Sequence, residues 1–288
     1  MWIYFLVDGM AVISKKYFRQ NSLLSDAGQQ ALQNSRVFIA GAGGLGSPVA
    51  TYLVAAGVGQ ITLLDFDAVD ATNLNRQFLH HEKDIGKNKA FSGKEKLSSQ
   101  NPDILILPVT EKLTANNVAD LVNNSEIIVD ALDNDETRQI LAKFAHDRKI
   151  PYFHAAVYGF SGQVSVFLPG GGPCFFCAFP ESELLPEPLL ESSLKSVSDS
   201  DSGSNIDSGS NFNSGSNSKC ETAEKFPIVG SVCGVVGSME ANEVIKYITQ
   251  KGELATGKLL IWDGLINSLD ILEIPKEENC PVCGKNLE

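Results

Sequence analysis

The sequence is poor in positive charge. Lys and Arg together number 23 against 35 Asp and Glu, which gives a formal net charge of −12 and a pI near 4.8. Proteins that bind the phosphate backbone of nucleic acids usually present basic patches, so this balance argues against a nucleic-acid partner. A few local basic residues would still be enough to bind a nucleotide.

The N-terminus has no long hydrophobic run. The apolar stretch MWIYFLV stops at Asp8, with no basic region before it and no small-residue cleavage site after it. It is too short to span a bilayer and does not resemble a secretory signal. We therefore expect a cytoplasmic protein without a membrane partner. Residues 1–15 are expected to be an N-terminal extension, and either Met1 or Met10 could be the start.

Histidines are also few, and no Ser-His-Asp arrangement is evident among the four present. His80, His81 and His154 fit packing or hydrogen bonding better than catalysis. With 288 residues, 43% of them hydrophobic, the chain can hold one large α/β domain or two small ones.

The most informative stretch runs from Arg36 to Asp65 and predicts a strand, a glycine turn, a helix and a second strand. Its three turn glycines have the G-x-G-x-x-G spacing, and they are Gly41, Gly43 and Gly46. Asp65 follows Gly46 by 19 positions, where this fingerprint expects a carboxylate for ribose hydroxyls. The pattern predicts a nucleotide phosphate at the helix N-terminus, but NAD, FAD and ATP all use such a turn.

Strand and helix patterns alternate along most of the chain. Helices are predicted at Lys16–Asn34, Leu45–Ala56, Lys87–Gln100, Asn116–Asn123 and Glu136–Arg148, with a further one within Pro227–Gln250. Strands are predicted at Arg36–Ala40, up to Asp65, Ile104–Val109, Glu126–Asp130, Tyr152–Ala156, Gly162–Phe167, Lys258–Trp262 and Ser268–Ile274. This alternation indicates a Rossmann-like α/β fold, with a doubly wound, mostly parallel sheet and antiparallel C-terminal strands.

Polar residues gather after two of these strands. The long loop after Asp65 carries Arg76 and Lys89, which are suited to bind phosphate, and Asp130, Asp133, Asn134 and Asp135 follow a later strand. A carboxylate at that edge could hold Mg²⁺ beside nucleotide phosphates. Asp135 is interpreted as a helix cap.

Four of the six cysteines form two C-x-x-C pairs, Cys174 with Cys177 and Cys280 with Cys283. Four thiolates make a closed tetrahedral site, so zinc here would be structural; an iron–sulfur cluster is the alternative. Between the pairs, residues from about 191 to 219 are rich in Ser, Asn, Asp and Gly, and we expect a disordered insertion within the domain.

With these pieces placed, the chain resembles the ubiquitin-activating-like (MoeB/ThiF/HesA) adenylyltransferase family from about Lys16 to Gly284. The matching stretches are YFRQ, GAGGLGSPVATYLVAAGVG, LLDFD, NLNRQFLH, DIGKNKA, ALDN, PCFFC, GVVGSMEANEVIK and CPVCG. The resemblance implies one ThiF-type adenylation domain over residues 16–288. The reaction it implies is attack by the C-terminal glycine carboxylate of a ubiquitin-like sulfur carrier on the α-phosphate of ATP, giving an acyl-adenylate and pyrophosphate.

The resemblance also implies roles for single residues. Gly44 and Asp65 would hold the nucleotide, with Asn73, Arg76 and Lys89 around the triphosphate, Asp133 on Mg²⁺ and Asn134 beside it. Arg19 matches an arginine finger that family dimers insert into the partner's site, so a homodimer is expected. The family's zinc ligands match the four paired cysteines.

Cys220 and the carrier stay open at this level. Some relatives use a cysteine on the crossover segment to form a thioester or persulfide, in which case a sulfur donor is a further partner, and in others it is dispensable. Cys233 is expected to be buried. Molybdenum cofactor, thiamine, cysteine and tRNA thiolation pathways all fit. The rival functions are a tRNA-modifying dehydratase, an NAD-dependent oxidoreductase and a non-catalytic carrier-binding scaffold.

Overall fold

Eight strands form one sheet in the computed structural model of the protein, which describes residues 14–180 and 227–284. The strands are β1 Arg36–Ala40, β2 Gln60–Leu64, β3 Leu105–Val109, β4 Ile127–Asp130, β5 Tyr152–Tyr158, β6 Ser161–Phe167, β7 Lys258–Asp263 and β8 Ser268–Glu273. Their spatial order is β3-β2-β1-β4-β5-β6-β7-β8. The first five in this order are parallel, and β6, β7 and β8 are antiparallel. The predicted fold class is confirmed.

The strand order reverses beside β1, because β2 lies on one side of it and β4 on the other. Ala40 pairs with Leu64 of β2 and with Asp130 of β4, so the carboxyl ends of the three strands meet at one edge. In open α/β sheets the crevice at such a reversal is where ligands bind.

Seven helices are described, and they lie on both faces of the sheet. They are α1 Phe18–Asn34, α2 Gly46–Ala56, α3 Lys89–Gln100, α4 Val118–Val122, α5 Asp135–Arg148, α6 Phe175–Ala178 and α7 Gly230–Thr249. Three one-turn 3₁₀ helices occupy Lys15–Tyr17, Ala71–Asn73 and Glu82–Asp84. None of the helices in the described ranges is long and apolar enough to cross a membrane.

The alternation of side chains along the strands divides the core into two halves. We call the side covered by α2, α3 and α7 the turn face, where Val37 and Ile39 of β1 pack. The side covered by α4, α5 and α6 is the metal face, where Phe38 and Ala40 pack. Full burial of each large apolar side chain contributes about 1.5–3 kcal/mol, so both faces hold the sheet in place.

Three local predictions need correction. The first helix is not continuous, because Ser25 has φ 68° and ψ 167°, and helical structure is interrupted there. Helix α3 begins at Lys89 rather than Lys87, because the side chain of Asn88 caps it by accepting from Phe91 N. The cap of α5 is Asn134 and not Asp135, since the Asn134 side chain accepts from Thr137 N at 3.0 Å.

The expected Ser/Asn/Asp/Gly-rich insertion at about residues 191–219 and Cys220 both lie outside the described residues.

Candidate active site and metal centre

The glycine turn joins β1 to α2 and tolerates no side chain at two of its positions. Gly41 has φ +105°, and a Cβ there would meet the carbonyl oxygen of Ala131, directly after β4. A Cβ at Gly46 would collide with the carbonyl oxygen of Gly41 itself. The turn therefore closes as tightly as the fingerprint predicts, and it leaves the N-terminus of α2 facing the crevice.

Asp65 lies just beyond β2, beside this turn, and only 8% of it is exposed. Its Oδ2 accepts a hydrogen bond from Ala42 N at 2.9 Å, and its Oδ1 accepts one from Asp67 N at 3.0 Å. Burial raises the pKa of Asp65, although Lys89 and the two backbone donors act in the opposite direction. The carboxylate thus braces the turn in addition to the ribose contact expected of it.

Lys89 opens α3 and comes close to the same place. Its Nζ lies 3.0 Å from Asp67 Oδ2, and the residue is 6% exposed. Asn88 holds this helix start to the end of β2, because its Nδ2 donates to the Asp65 carbonyl at 2.9 Å and to the Asp67 carbonyl at 3.2 Å. Asp65 and Lys89, which are 24 positions apart in the sequence, are thereby brought to one edge of the sheet.

The loop after Asp65 also returns to the glycine turn. Arg76 donates to Thr72 O and Asn75 Oδ1, both at 3.0 Å, and its Cγ lies 3.7 Å from where a Cβ of Gly44 would be. Asn73 is buried, and its Oδ1 accepts from Asp70 N at 3.1 Å. Arg76 therefore stands beside the turn, whereas Oδ1 of Asn73 caps a loop turn.

The polar residues at and after the end of β4 separate into two groups. Asp133 and Asn134 are exposed at the edge, with Asn134 capping α5. Asp130 is fully buried and accepts from Tyr152 Oη at 2.7 Å, His154 Nδ1 at 2.8 Å and Arg138 Nε at 2.9 Å. Burial alone would raise the pKa of Asp130, but these three partners lower it to about 2.

Arg19 lies apart from the other predicted site residues. It is exposed on the first turn of α1, and no hydrogen bond or ion pair between described residues connects its side chain to the glycine turn. A contribution from Arg19 to a site within its own chain finds no support in this geometry.

Two buried residues that touch the turn are absent from the predicted site, because sequence reasoning missed Gln77 and assigned His80 only packing or hydrogen bonding. Gln77 has its Nε2 3.5 Å from where a Cβ of Gly43 would be, and its Oε1 is buried without a described hydrogen-bond partner. His80 Nε2 lies 2.9 Å from Ala42 O. The only signal available in the sequence was their closeness to Arg76: Gln77 follows it directly, and His80 lies about one turn further on.

The four paired cysteines come together on the metal face although the pairs are 106 residues apart. Their Sγ atoms all lie within 4.8 Å of one another, with separations of 3.9 Å for Cys174–Cys177, 3.6 Å for Cys174–Cys280 and 3.4 Å for Cys177–Cys283. A tetrahedral zinc with Zn–S bonds of about 2.3 Å needs sulfur separations of about 3.8 Å. The cluster could hold one such ion.

The close approach of the four thiols also affects their ionisation. Burial and the neighbouring thiols raise the pKa of Cys174, because thiolates this close together repel each other unless a positive ion lies between them. Phe175 packs between the cluster and the Asp130 network, with its ring centroid 5.3 Å from that of His154 and 5.9 Å from that of Tyr152.

Solved structures of known proteins share this fold. The solved structure of the Microcin C7 biosynthetic enzyme MccB in complex with N-formylated MccA is similar in fold, with a TM-score of 0.75 at 23% identity over 94% of this chain and 75% of that one. Sequence relatives are closer. The SAMP-activating enzyme E1 of Haloferax volcanii is 35% identical over 90% of this chain and 83% of its own, and the molybdopterin-synthase adenylyltransferase of Escherichia coli is 32% identical over 90% of each.

A third relative, the sulfur carrier protein adenylyltransferase of Thermus thermophilus, is 34% identical over 93% of this chain and 90% of its own. These relatives and the fold define an adenylyltransferase. The ThiF family model matches residues 17–282, so the chain belongs to the ThiF family. The family resemblance inferred from the sequence motifs is confirmed.

Proposed function

We propose that the protein activates the C-terminal glycine carboxylate of a ubiquitin-like sulfur carrier with ATP. A carboxylate oxygen attacks the α-phosphorus, the bond from that phosphorus to the bridging oxygen breaks, and pyrophosphate leaves. The observation that carries the proposal is the convergence of the glycine turn, Asp65, Arg76 and Lys89 at one edge of the sheet. Relatives that activate SAMP or a sulfur carrier protein support the choice of substrate.

In this proposal the chain's contribution is positioning and charge. The α2 N-terminus and the turn amides receive phosphate oxygens, Asp65 binds the ribose, and Asn73, Arg76 and Lys89 surround the triphosphate. Asp133 and Asn134 stand exposed at the same edge, where Asp133 would hold the Mg²⁺ that offsets phosphate charge. No protein nucleophile is needed, because the attacking group is the carrier's own carboxylate.

The test is carrier-dependent exchange of labelled pyrophosphate into ATP, using a panel of small proteins that end in Gly-Gly. We expect exchange with the cognate carrier, and Asp133→Ala should lower it at least a hundredfold. Asp147→Ala, at the far end of α5 where it pairs with Lys143, is the matched control. NAD binding with no exchange for any carrier would refute the proposal, and copurifying RNA would favour the dehydratase.

We extend the proposal to a homodimer in which Arg19 serves the site of the partner. Arg19 makes no hydrogen bond or ion pair with its own glycine turn among the described residues, and apolar side chains of Tyr52, Phe78 and Val235 remain exposed around a surface groove of about 630 Å³ between α2 and α7. Mixing Arg19→Ala and Asp133→Ala chains tests this directly, because a mixed dimer holds one complete site. Activity regained on mixing is expected; two inactive variants that stay inactive after subunit exchange contradict it.

We further propose that the four-cysteine site holds structural zinc, since all four ligand positions are taken by sulfur and none is left for a substrate. The ion would tie the C-terminal tail back to the sheet across more than a hundred residues, within one adenylation domain over residues 16–288. Whether Cys220 accepts the activated carboxylate or a sulfur atom is decided by Cys220→Ala. Unchanged adenylation together with loss of a covalent carrier adduct would assign it that later step, with a sulfur donor as partner.

A further inference from the structure

Ala42, in the middle of the glycine turn, is held from two sides by buried side chains. Its N–H donates to Asp65 Oδ2, and its carbonyl lies 2.9 Å from Nε2 of His80. A carbonyl oxygen can only accept, so Nε2 of His80 must carry the proton of this bond. Both peptide groups next to Ala42 are therefore fixed, and the second one depends on a single imidazole.

The other nitrogen of His80 connects to the helix that carries Lys89. His80 Nδ1 lies 2.9 Å from Oγ of Ser92, which is fully buried in the first turns of α3. With the ring neutral and its proton on Nε2, Nδ1 accepts from the Ser92 hydroxyl. Lys96 Nζ donates to the same Ser92 oxygen at 3.1 Å, which favours this direction because it leaves the hydroxyl proton to point at His80.

The connection extends to a buried carboxylate. Lys96 forms an ion pair with Asp84, which also accepts from His81 N at 2.9 Å. Lys96 therefore donates in two directions, to Asp84 and to Ser92, and from Ser92 the donors continue through His80 to the Ala42 carbonyl. A link of this kind leaves the turn and α3 little freedom to move apart.

We propose that His80 is a positioning residue for the nucleotide: its neutral imidazole links the Ala42 carbonyl to Ser92 and so fixes the distance between the glycine turn and Lys89. This inference rests on the proposed function, since it assumes that a nucleotide binds at the turn. It assigns His80 no contact with the substrate.

The charges around the ring agree with a neutral imidazole. Burial lowers the pKa of His80, and Lys89 and Lys96 of α3 lower it further, while the bond to Ala42 O and the charge of Asp84 oppose them. Protonation of the ring would place a proton on Nδ1 as well. Nδ1 could then no longer accept a hydrogen bond from the Ser92 hydroxyl.

Binding of Mg²⁺ with the non-hydrolysable analogue AMPCPP tests the link by calorimetry. In His80→Gln the amide nitrogen can replace Nε2 and reach Ala42 O, whereas in His80→Asn it is too short to do so. We expect the Kd to rise about tenfold for His80→Ala and His80→Asn and to stay within about threefold for His80→Gln. His146→Gln on α5, exposed and remote, is the control.

Melting temperatures separate positioning from a general structural role. His80→Asn leaves a larger cavity than His80→Gln, so a purely structural histidine would weaken binding only in step with the loss of melting temperature, whereas a positioning histidine weakens binding beyond that loss. Long-range ¹H–¹⁵N spectra of histidine-labelled protein give an independent readout. We expect the His80 signal, identified by its loss in His80→Gln, to show the Nε2–H tautomer and a pKa below 6.5.

Two results would overturn the inference: AMPCPP binding unchanged in both His80→Ala and His80→Asn, or an Nδ1–H tautomer at neutral pH. A wild-type protein that binds neither AMPCPP nor ATP would instead refute the proposed function, so the two failures are distinguishable.

Discussion

The two faces of the sheet are built on different principles. The turn face is held by close backbone approaches and by hydrogen bonds between groups that the chain itself supplies, as at Gly41, Asp65 and His80. The metal face contains a buried carboxylate network at Asp130 and four thiols gathered at one point. The contacts of the turn face can form from the chain alone. The metal face, in contrast, gathers four sulfur atoms that a cation would hold together.

The difference teaches where each kind of perturbation should act. The turn face should be sensitive to added volume at its closest approaches, because a Cβ at Gly41, Gly46 or Gly237 would collide with a carbonyl oxygen. The metal face should be sensitive to charge and to ligands, because its polar groups are buried and mutually dependent. Four predictions test whether the two faces behave this differently.

The largest effect is expected from loss of the zinc proposed for the four-cysteine site. Cys280→Ser, or chelation of the ion, should lower the free energy of unfolding by about 5 kcal/mol or more, since a structural ion contributes directly to folding. Metal content and urea unfolding measure this. Cys233→Ser, outside the cluster, should keep one ion per chain. A melting temperature that chelation leaves unchanged would contradict the prediction that the metal face depends on its ion.

Removal of the Asp130 charge should come next. Asp130→Asn leaves the buried guanidinium of Arg138 without its main partner and should destabilise the protein by about 3 kcal/mol or more. Asp147→Asn, which breaks the exposed pair with Lys143, should change stability by less than about 1 kcal/mol. Both changes in the free energy of unfolding are measured with urea. Equal effects of the two substitutions would contradict the prediction that the buried network contributes more to stability than the exposed pair.

Acid should weaken the same network more gradually. The folded pKa of Asp130 is about 2, below its ordinary 3.8, so its contribution is complete above pH 3.8 and is lost as the pH falls through 2. The expected loss is about 2 kcal/mol. Asp84, whose pKa is also about 2, titrates in this window, so the wild type must be compared with Asp130→Asn. Identical pH profiles of unfolding would contradict the assignment.

The smallest predicted loss concerns volume on the turn face. A Cβ at Gly237 would lie 2.8 Å from Leu45 O and 2.5 Å from Pro48 Cγ, so Gly237→Ala should cost about 1–3 kcal/mol by forcing α7 away from α2. One turn earlier, a Cβ at Gly234 would meet nothing within 4 Å. Gly234→Ala should therefore stabilise the helix by up to about 1 kcal/mol. Thermal unfolding of both variants distinguishes crowding from helix propensity.

Much of the fold could be predicted because its signals are local. The β-branched strand Arg36–Ala40, the glycine spacing and the alternation of elements each depend on residues close in the sequence, and all are found as expected. The cysteine pairs were predictable for another reason. A C-x-x-C pair supplies two ligands, so a second such pair anywhere in the chain indicates a shared ion.

The rest depended on register and on long-range pairing. Asn134 and Asp135 are both good caps, and only the position of β4 decides that Asn134 takes the role. Asp130 became part of a buried network because β4 pairs with β5 in the register that sets it opposite His154. His80 had no sequence signal that separated it from a packing residue, since its partners Ala42 and Ser92 lie on other elements.

One feature of the metal face bears on how the chain would respond to proteolysis. Cys174 and Cys177 fix the chain shortly before residue 181, and the hairpin of β5 and β6 fixes its return, because Gly159 N donates to Pro227 O at 2.9 Å and Val229 N donates to Gly159 O at 3.3 Å. Neither of these two attachment points requires an unbroken chain between residues 181 and 226. A protease cut between residues 181 and 226 would yield two fragments that remain one particle, held by a shared sheet and, with the proposed zinc bound, by a shared ion.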